Sequence, residues 1–289
     1  MAKIKTGIIG TGNIGSDLLM KVLKSDVLEC SIFAGHNPES EGIHRAEKMG
    51  IPTTIESIHY IEKHPDCCDI VFDATSAKVH KYNAPILKKL GKYTIDLTPA
   101  HVGKFCIPAI NQRDALNCSN VNMITCGGQA AIPIACALQS VSKVEYLEIV
   151  ATIASKSAGI GTRNNIDEFT QTTKEAIVEL TGIKQAKAII VLNPAEPPIT
   201  MHNTVYALMD KPDMVKIEEA VEEMSGRIKK YVPGYGIVLG PIYENSRVTI
   251  GIEVVGSGDY LPPYAGNLDI ITCAAVETAE QFAMERSTK

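Results

Sequence analysis

Six residues near the start of the chain, Gly10-Thr11-Gly12-Asn13-Ile14-Gly15, constrain its fold more than any other stretch. They follow an apolar run at 4–9 and open a helix-like run at 16–23, so the glycines stand at a strand-to-helix turn. In such a turn the first glycine makes the bend, the second leaves room for a pyrophosphate, and the third lets the helix pack on the sheet. The phosphates then rest on the helix N-terminus, whose N–H groups point at them. The pattern predicts a βαβ unit that binds a dinucleotide.

The rhythm that follows supports this. Residues 28–34 read as a strand, 39–50 as a helix, 69–74 as a buried strand, 79–90 as a helix ended by Gly91, and 93–97 as a strand. Strand and helix in alternation predict an α/β fold with a doubly wound parallel sheet. Beyond residue 126 a helix is expected at 130–141, a long strand at 145–155 and a Gly/Ser loop at 155–163. A helix at 167–180 would be capped by Asn165 or Asp167. A strand at 186–192, a helix at 214–231, a half-exposed strand at 247–255 and a closing helix at 268–284 follow, with loops near 193–203 and 256–267. A chain of 289 residues, 45% hydrophobic, suits two domains.

The formal charge of −5 argues against a nucleic-acid or anionic-membrane surface. The first residues carry no secretory apolar region, and no apolar run reaches the ~18 residues that span a bilayer. The eight cysteines form no C-x-x-C pair, so a zinc ribbon is not expected and no metal is assigned. These features predict a reduced, cytoplasmic protein. The histidines share no triad or metal spacing, and His101 and His202 are the two retained as candidate bases.

Cys126 carries the chemistry. It lies in Thr125-Cys126-Gly127-Gly128-Gln129, where a β-leaning stretch gives way to glycines and a helix. A helix N-terminus favours a thiolate, glycines let a carbonyl approach the backbone, and free N–H groups would hold an oxyanion. With a dinucleotide upstream, this predicts an aldehyde oxidised through a thioester. The competing reading is a buried, inert thiol. Asp73-Ala74-Thr75-Ser76 ends a strand at the sheet's carboxyl edge and is expected near the cofactor. No acid stands at the end of the second strand, where Asn37 would accept either NAD or NADP.

The chain resembles the acylating (CoA-acetylating) acetaldehyde dehydrogenases of meta-cleavage pathways for aromatic hydrocarbons. The stretches that carry the likeness are the Gly10–Gly15 turn, residues 69–76, Ile95-Asp96-Leu97-Thr98-Pro99, residues 121–133, 155–169 and 187–198, Tyr231-Val232-Pro233-Gly234-Tyr235 and Tyr264-Ala265-Gly266-Asn267-Leu268-Asp269. The resemblance implies a Rossmann domain over 1–129 and an α/β dimerisation domain over 130–266, as in glyceraldehyde-3-phosphate and semialdehyde dehydrogenases. It also implies that a last helix at 267–289 returns to the first domain.

It further implies that Cys126 is the nucleophile and that Asn267 is an active-site amide near the nicotinamide. Gly10, Thr11, Gly12, Asn13, Ile14 and Gly15 would hold the pyrophosphate. Ser157, Ala158, Gly159, Ile160, Gly161, Thr162, Arg163, Asn164 and Asn165 would form a second cofactor loop. Asn165 and Ile166 would mark the entry of an aldehyde channel. The implied reaction converts acetaldehyde, CoA and NAD to acetyl-CoA and NADH, with propanal as a second candidate substrate. The implied partner is a 4-hydroxy-2-oxovalerate aldolase, in a heterotetramer built on a homodimer.

Three positions depart from the family pattern. Asn203 stands where an aspartate is expected, Asn37 replaces an aspartate beyond the second strand, and residues 236–248 are shorter. A phosphorylating semialdehyde dehydrogenase is the rival enzyme; it would need a histidine base and arginine clamps, and Arg163 is the arginine in the candidate loops. A non-catalytic NAD(H)-binding subunit of an aldolase complex is the rival from another class.

Overall fold

The computed structural model describes residues 3–159, 163 and 166–287. The chain divides into two compact units, residues 1–123 with 272–289, and residues 124–271.

The first unit begins with β1 (Ile4–Ile9), α1 (Asn13–Lys24), β2 (Leu28–Ala34), α2 (Glu41–Lys48), β3 (Thr53–Thr54) and α3 (Ile58–Lys63). It continues with β4 (Ile70–Asp73), α4 (Ala77–Lys89), β5 (Tyr93–Asp96), β6 (Lys104–Phe105), α5 (Pro108–Ala115) and β7 (Asn120–Asn122). The strands form a parallel sheet in the order β3-β2-β1-β4-β5-β7-β6. Ile8, Ile9, Ile70, Val71 and Phe72 are fully buried, as a sheet covered on both faces requires. Strand order reverses between β1 and β4, so the carboxyl ends of these strands flank the ligand crevice of a doubly wound sheet. The expected strands and helices of this unit are present; β3, β6, β7, α3 and α5 add to them.

The second unit contains α6 (Cys126–Val141), β8 (Val144–Ala154), α7 (Ile166–Thr181), β9 (Ala186–Asn193), β10 (Met201–Met209), α8 (Met214–Lys229), β11 (Tyr235–Glu244) and β12 (Arg247–Val254). Its mixed sheet runs β11-β12-β10-β8-β9, antiparallel except for the β8–β9 pair. Alternation along the strands sorts the two faces. Leu147, Ile149 and Ala151 of β8 and Val205 and Ala207 of β10 are buried, and α6 packs on both strands. Tyr146, Glu148, Tyr206 and Leu208 point the other way. Neither β10 nor β11 was expected as a strand. The short segment at 236–248 is a tight hairpin, turning at Asn245 and Ser246, both with positive φ. Asp167 lies inside α7 and does not cap it; Asn165 lies outside the described residues.

The last helix, α9 (Gly266–Ser287), belongs to the first unit from Thr272 onward. The expected boundaries at 129 and 266 stand against 123 and 271, because α6 already starts at Cys126 and the division falls inside α9. Thr272 Oγ1 donates to Asp17 Oδ2 at 2.5 Å, and Lys21 Nζ donates to the same oxygen at 2.7 Å. Ser25 Oγ donates to Glu280 Oε1 at 2.5 Å, and Phe282 stacks on Tyr93 with ring centroids 3.9 Å apart. Among the described residues no helix is long and apolar enough to cross a membrane.

Asp17 and Lys21 are both buried, so deleting the carboxylate removes a countercharge from a buried ammonium. Asp17→Ala should cost about 3 kcal/mol of stability. A lowered urea midpoint checks this; an unchanged one would show that Thr272 and Lys21 find other partners.

Candidate active site

The glycines of the first turn are glycines for three different reasons. Gly10 has φ +107°, and a Cβ there would lie 2.5 Å from the carbonyl oxygen of Ala74. A Cβ on Gly15 would lie 1.8 Å from the carbonyl oxygen of Gly10. Gly12 meets nothing within 4 Å and is exposed, as is Asn13. Two glycines thus serve the fold, and the middle one leaves open space at the head of α1. Thr11 Oγ1 is hydrogen-bonded to Ser40 Oγ at 2.8 Å, and a Cβ on Gly42 would meet the Thr11 carbonyl at 2.2 Å, so the start of α2 braces the turn. Ile14 is the second residue of α1, with Asn13 before it. Open space at an exposed helix N-terminus fits a pyrophosphate.

Asn37 Oδ1 accepts the Glu39 N–H at 3.0 Å, so the side chain shapes its own turn. A cleft of about 750 Å³ opens nearby, lined by His36, Ile55, His59, Val79 and Tyr82 among others.

In the second unit, Cys126 is the first residue of α6, and Thr125 caps that helix by accepting the Gly128 N–H at 3.0 Å. Thr125 Oγ1 is also 2.8 Å from Thr173 Oγ1 of α7. Just before the cap, Ile124 has φ +63°, a strained value for a β-branched residue and one that clusters at functional sites. The helix starts four residues earlier than expected, which corrects the role given to its glycines. Gly127 and Gly128 are buried in the first turn. A Cβ on Gly127 would sit 3.1 Å from Ala151 Cβ and 3.2 Å from Phe169 Cζ, and one on Gly128 would sit 2.7 Å from Ile124 Cγ2. They allow close packing rather than opening the backbone to a ligand.

A second correction concerns the thiol. Cys126 is half-buried, and desolvation pushes its thiol up to about 12; the N–H groups of Gly127 and of Cys126 itself offset only part of that. The helix N-terminus favours the thiolate as expected, but desolvation is the larger effect, and the thiol keeps its proton at neutral pH.

Asn203 of β10 reaches the same turn. Its Nδ2 donates to the Gly127 carbonyl oxygen at 3.2 Å, while its buried Oδ1 has no hydrogen-bond partner among the described residues. An ionised aspartate there would face that carbonyl with a negative charge, whereas the amide donates to it. Sequence reasoning marked Asn203 as a missing base; the structure makes it a brace for the cysteine turn. His202, one residue earlier, points to the opposite face of the sheet, where its Nδ1 is 3.1 Å from the Thr200 carbonyl oxygen. His101 stacks on Phe105 with centroids 3.9 Å apart. Asn267, the second residue of α9, is buried, and its Oδ1 has no hydrogen-bond partner among the described residues.

Ser157 Oγ donates to the Ala154 carbonyl at 2.9 Å, next to Ala158 and the exposed Gly159. Arg163 Nη2 donates to the carbonyl and hydroxyl oxygens of Ser155 at 2.8 and 2.9 Å, and its Nε donates to Ala158 at 3.2 Å. Its guanidinium staples its own loop rather than standing as an anion clamp. Ile166 opens α7 and is exposed. Ile160, Gly161, Thr162, Asn164 and Asn165 lie outside the described residues.

The high thiol pKa gives a test with a definite sign. Below pH 10 the thiolate of Cys126 is the minor form, so alkylation at this residue should quicken about tenfold per pH unit from 7 to 9. Peptide mapping after timed iodoacetamide labelling measures it. A rate that levels off below pH 8 would show a thiolate stabilised beyond what this geometry provides.

Residues 5–117 match the NAD-binding domain of semialdehyde dehydrogenases, and residues 126–262 match the dimerisation domain of prokaryotic acetaldehyde dehydrogenases. An acetaldehyde dehydrogenase of Carboxydothermus hydrogenoformans is 54% identical over 97% of this chain and 94% of its own length. One from Spirochaeta aurantia is 52% identical over 97% and 95%, and one from Pectobacterium atrosepticum is 50% identical over 99% and 98%. The crystal structure of aspartate semialdehyde dehydrogenase II from Vibrio cholerae shares the fold, with a TM-score of 0.68 at 12% identity over the full length of both chains. A glycine turn shaped for a dinucleotide, a cysteine at the head of a helix and this likeness along the whole chain make the protein a member of the acetaldehyde dehydrogenase family.

Proposed function

We propose that the chain oxidises acetaldehyde to acetyl-CoA with NAD, reversibly, through a thioester on Cys126. What carries this reading is a thiol at the head of α6 in a chain that matches acetaldehyde dehydrogenases along nearly its whole length. The Cys126 thiol adds across the aldehyde carbonyl; sulfur bonds to carbon and the proton ends on oxygen. Because the thiol is protonated at rest, it brings the proton that this adduct needs. Backbone N–H groups at the start of α6 and the Asn267 amide would hold the developing oxyanion. NAD, when bound, supplies the hydride acceptor. Gly10, Thr11, Gly12, Asn13, Ile14 and Gly15 would hold its pyrophosphate, with the 157–165 loop as a second contact. Loss of hydride from carbon and of the hydroxyl proton to solvent leaves the acyl group on Cys126. The CoA thiol then takes that acyl group and returns the proton to Cys126. Splitting the reaction at the thioester replaces one hard step by two easier ones. Asn203 keeps the Gly127 carbonyl, and with it the turn, in place at any pH, which an aspartate would do only when protonated.

The second unit supports a homodimer through the uncovered face of its sheet. Tyr146, Glu148, Tyr206, Leu208 and Arg247 line a shallow depression there, and Val238 and Ile242 of β11 are exposed apolar residues. An aldolase partner, implied by resemblance, would deliver its aldehyde near Asn165 and Ile166.

Cys126→Ser should lower CoA-dependent NADH formation by about a thousandfold or more while NADH still binds. The assay crosses acetaldehyde and propanal with NAD and NADP, and CoA with phosphate. Turnover within tenfold of the native chain, or acceptance of phosphate in place of CoA, would sink the reading. Leu208→Asp should convert the dimer to monomer on size-exclusion chromatography with light scattering. Persistence of the dimer would move the interface to another face, and the same column run with the aldolase added tests that partnership.

A further inference from the structure

Two strands of the first sheet end in the same three-residue pattern. β4 runs into Asp73-Ala74-Thr75 and β5 into Asp96-Leu97-Thr98, and the two aspartates are directly paired across the parallel strands. Each uses one carboxylate oxygen to shape the turn that follows. Asp73 Oδ1 accepts the Thr75 N–H at 3.1 Å and the Thr75 hydroxyl; Asp96 Oδ1 accepts the Thr98 N–H at 2.8 Å. Each turns its other oxygen to one imidazole. His80 Nδ1 is 2.9 Å from Asp73 Oδ2, and His80 Nε2 is 3.3 Å from Asp96 Oδ2. All three side chains are fully buried.

The remaining partners complete a closed network. Asn83 Nδ2 donates to Asp73 Oδ2 at 2.9 Å, and Asn122 Nδ2 donates to Asp96 Oδ2 at 2.7 Å and to the Thr98 carbonyl at 2.8 Å. Asn120 of β7 brings its Nδ2 to 3.1 Å from His80 Nε2, and its own Oδ1 has no hydrogen-bond partner among the described residues. Turning that amide over offers an acceptor to an Nε2–H, so the pocket suits the doubly protonated ring.

Two carboxylates side by side in a dry sheet edge need a cation between them. Burial pushes His80 down, but the hydrogen bond to Asp73 and the charge of Asp96 more than reverse it, and its pKa is raised. Burial likewise pushes Asp96 up to about 6, with the His80 charge pulling the other way. The titratable groups that face the ring are Asp73 from β4 and Asp96 from β5; Asn83 from its own helix and Asn120 from β7 are neutral.

The network reaches the glycine turn of the first unit. Ala74, in the first turn, donates its N–H to the Ile9 carbonyl at 2.8 Å, and its own carbonyl is the atom that a Cβ on Gly10 would strike. Asn122, at the other end, stands four residues before Cys126. We infer that His80 is a positioning residue for the dinucleotide: its imidazolium ties the Asp73-Ala74-Thr75 and Asp96-Leu97-Thr98 turns together and so fixes the surface on which the Gly10 turn rests. This role rests on the dinucleotide reading given above. Raising the pH through the His80 pKa removes the cation, leaves the carboxylates facing each other and loosens the turn.

NADH fluorescence titration of the full chain from pH 6 to 9 tests this. Native affinity should fall as pH rises through the His80 transition. His80→Gln should weaken NADH by about tenfold or more, the size of one lost charged hydrogen bond, and should flatten that pH step. The double variant His80→Gln with Asp96→Asn should recover most of the affinity, because it removes the unbalanced carboxylate. Native-like NADH binding by His80→Gln would overturn the inference, and so would a double variant no better than the single one. If His80→Gln does not fold, ¹⁵N-histidine NMR of the native chain decides. NADH should move the His80 midpoint to higher pH, and an unmoved midpoint would overturn the role. No NADH binding by the native chain would overturn the dinucleotide reading and this inference with it, whereas binding indifferent to His80 overturns this inference alone.

Discussion

The first unit depends on a backbone contact that no side chain would survive. A Cβ on Gly15 would stand 1.8 Å from the Gly10 carbonyl, so α1 meets the end of β1 at a distance open only to glycine. That approach sets the helix N-terminus over the carboxyl edge of the sheet. It also brings Gly10 against Ala74, and thus couples the first turn to the turn after β4. Gly12 is left as the exposed, uncrowded glycine of the three. Backbone N–H groups and the helix dipole favour an anion at a helix N-terminus of this kind.

Cys126 illustrates two opposed effects at one atom. The head of α6 offers N–H groups that lower a thiol pKa, and desolvation of the half-buried side chain raises it. Desolvation is larger. A protonated thiol is a poor nucleophile but a stable resting state. The turn itself is held by parts that carry no charge: the Thr125 cap, the Thr125–Thr173 contact, and Asn203 on the Gly127 carbonyl. Its geometry is therefore indifferent to pH in a way that the Asp73–His80–Asp96 cluster is not.

Much of the first unit was legible because its signals are local. A strand, a glycine turn and a helix follow one another in twenty residues, and periodicity reports them. The same locality explains the errors. β3 and β6 have two residues each and carry no period. In β10, His202, Thr204 and Tyr206 alternate with the buried residues Met201, Asn203, Val205 and Ala207, and the polar residues, Asn203 among them, masked a strand whose two faces meet different surroundings. Gly127 and Gly128 read as loop residues by propensity, yet packing against Ala151, Phe169 and Ile124 carries the helix through them.

The sequence by itself determined the alternation of strand and helix, the glycine turn after the first strand and the placing of a cysteine where a strand gives way to a helix, because each is written in neighbouring residues. Tertiary structure decided what surrounds them. It paired Asp73 with Asp96 across two strands and set His80 between them, turned Asn203 from an absent base into a donor, and gave the Cys126 thiol its proton. Desolvation and cross-strand charge depend on which distant residues share a space, and residue order alone does not specify that.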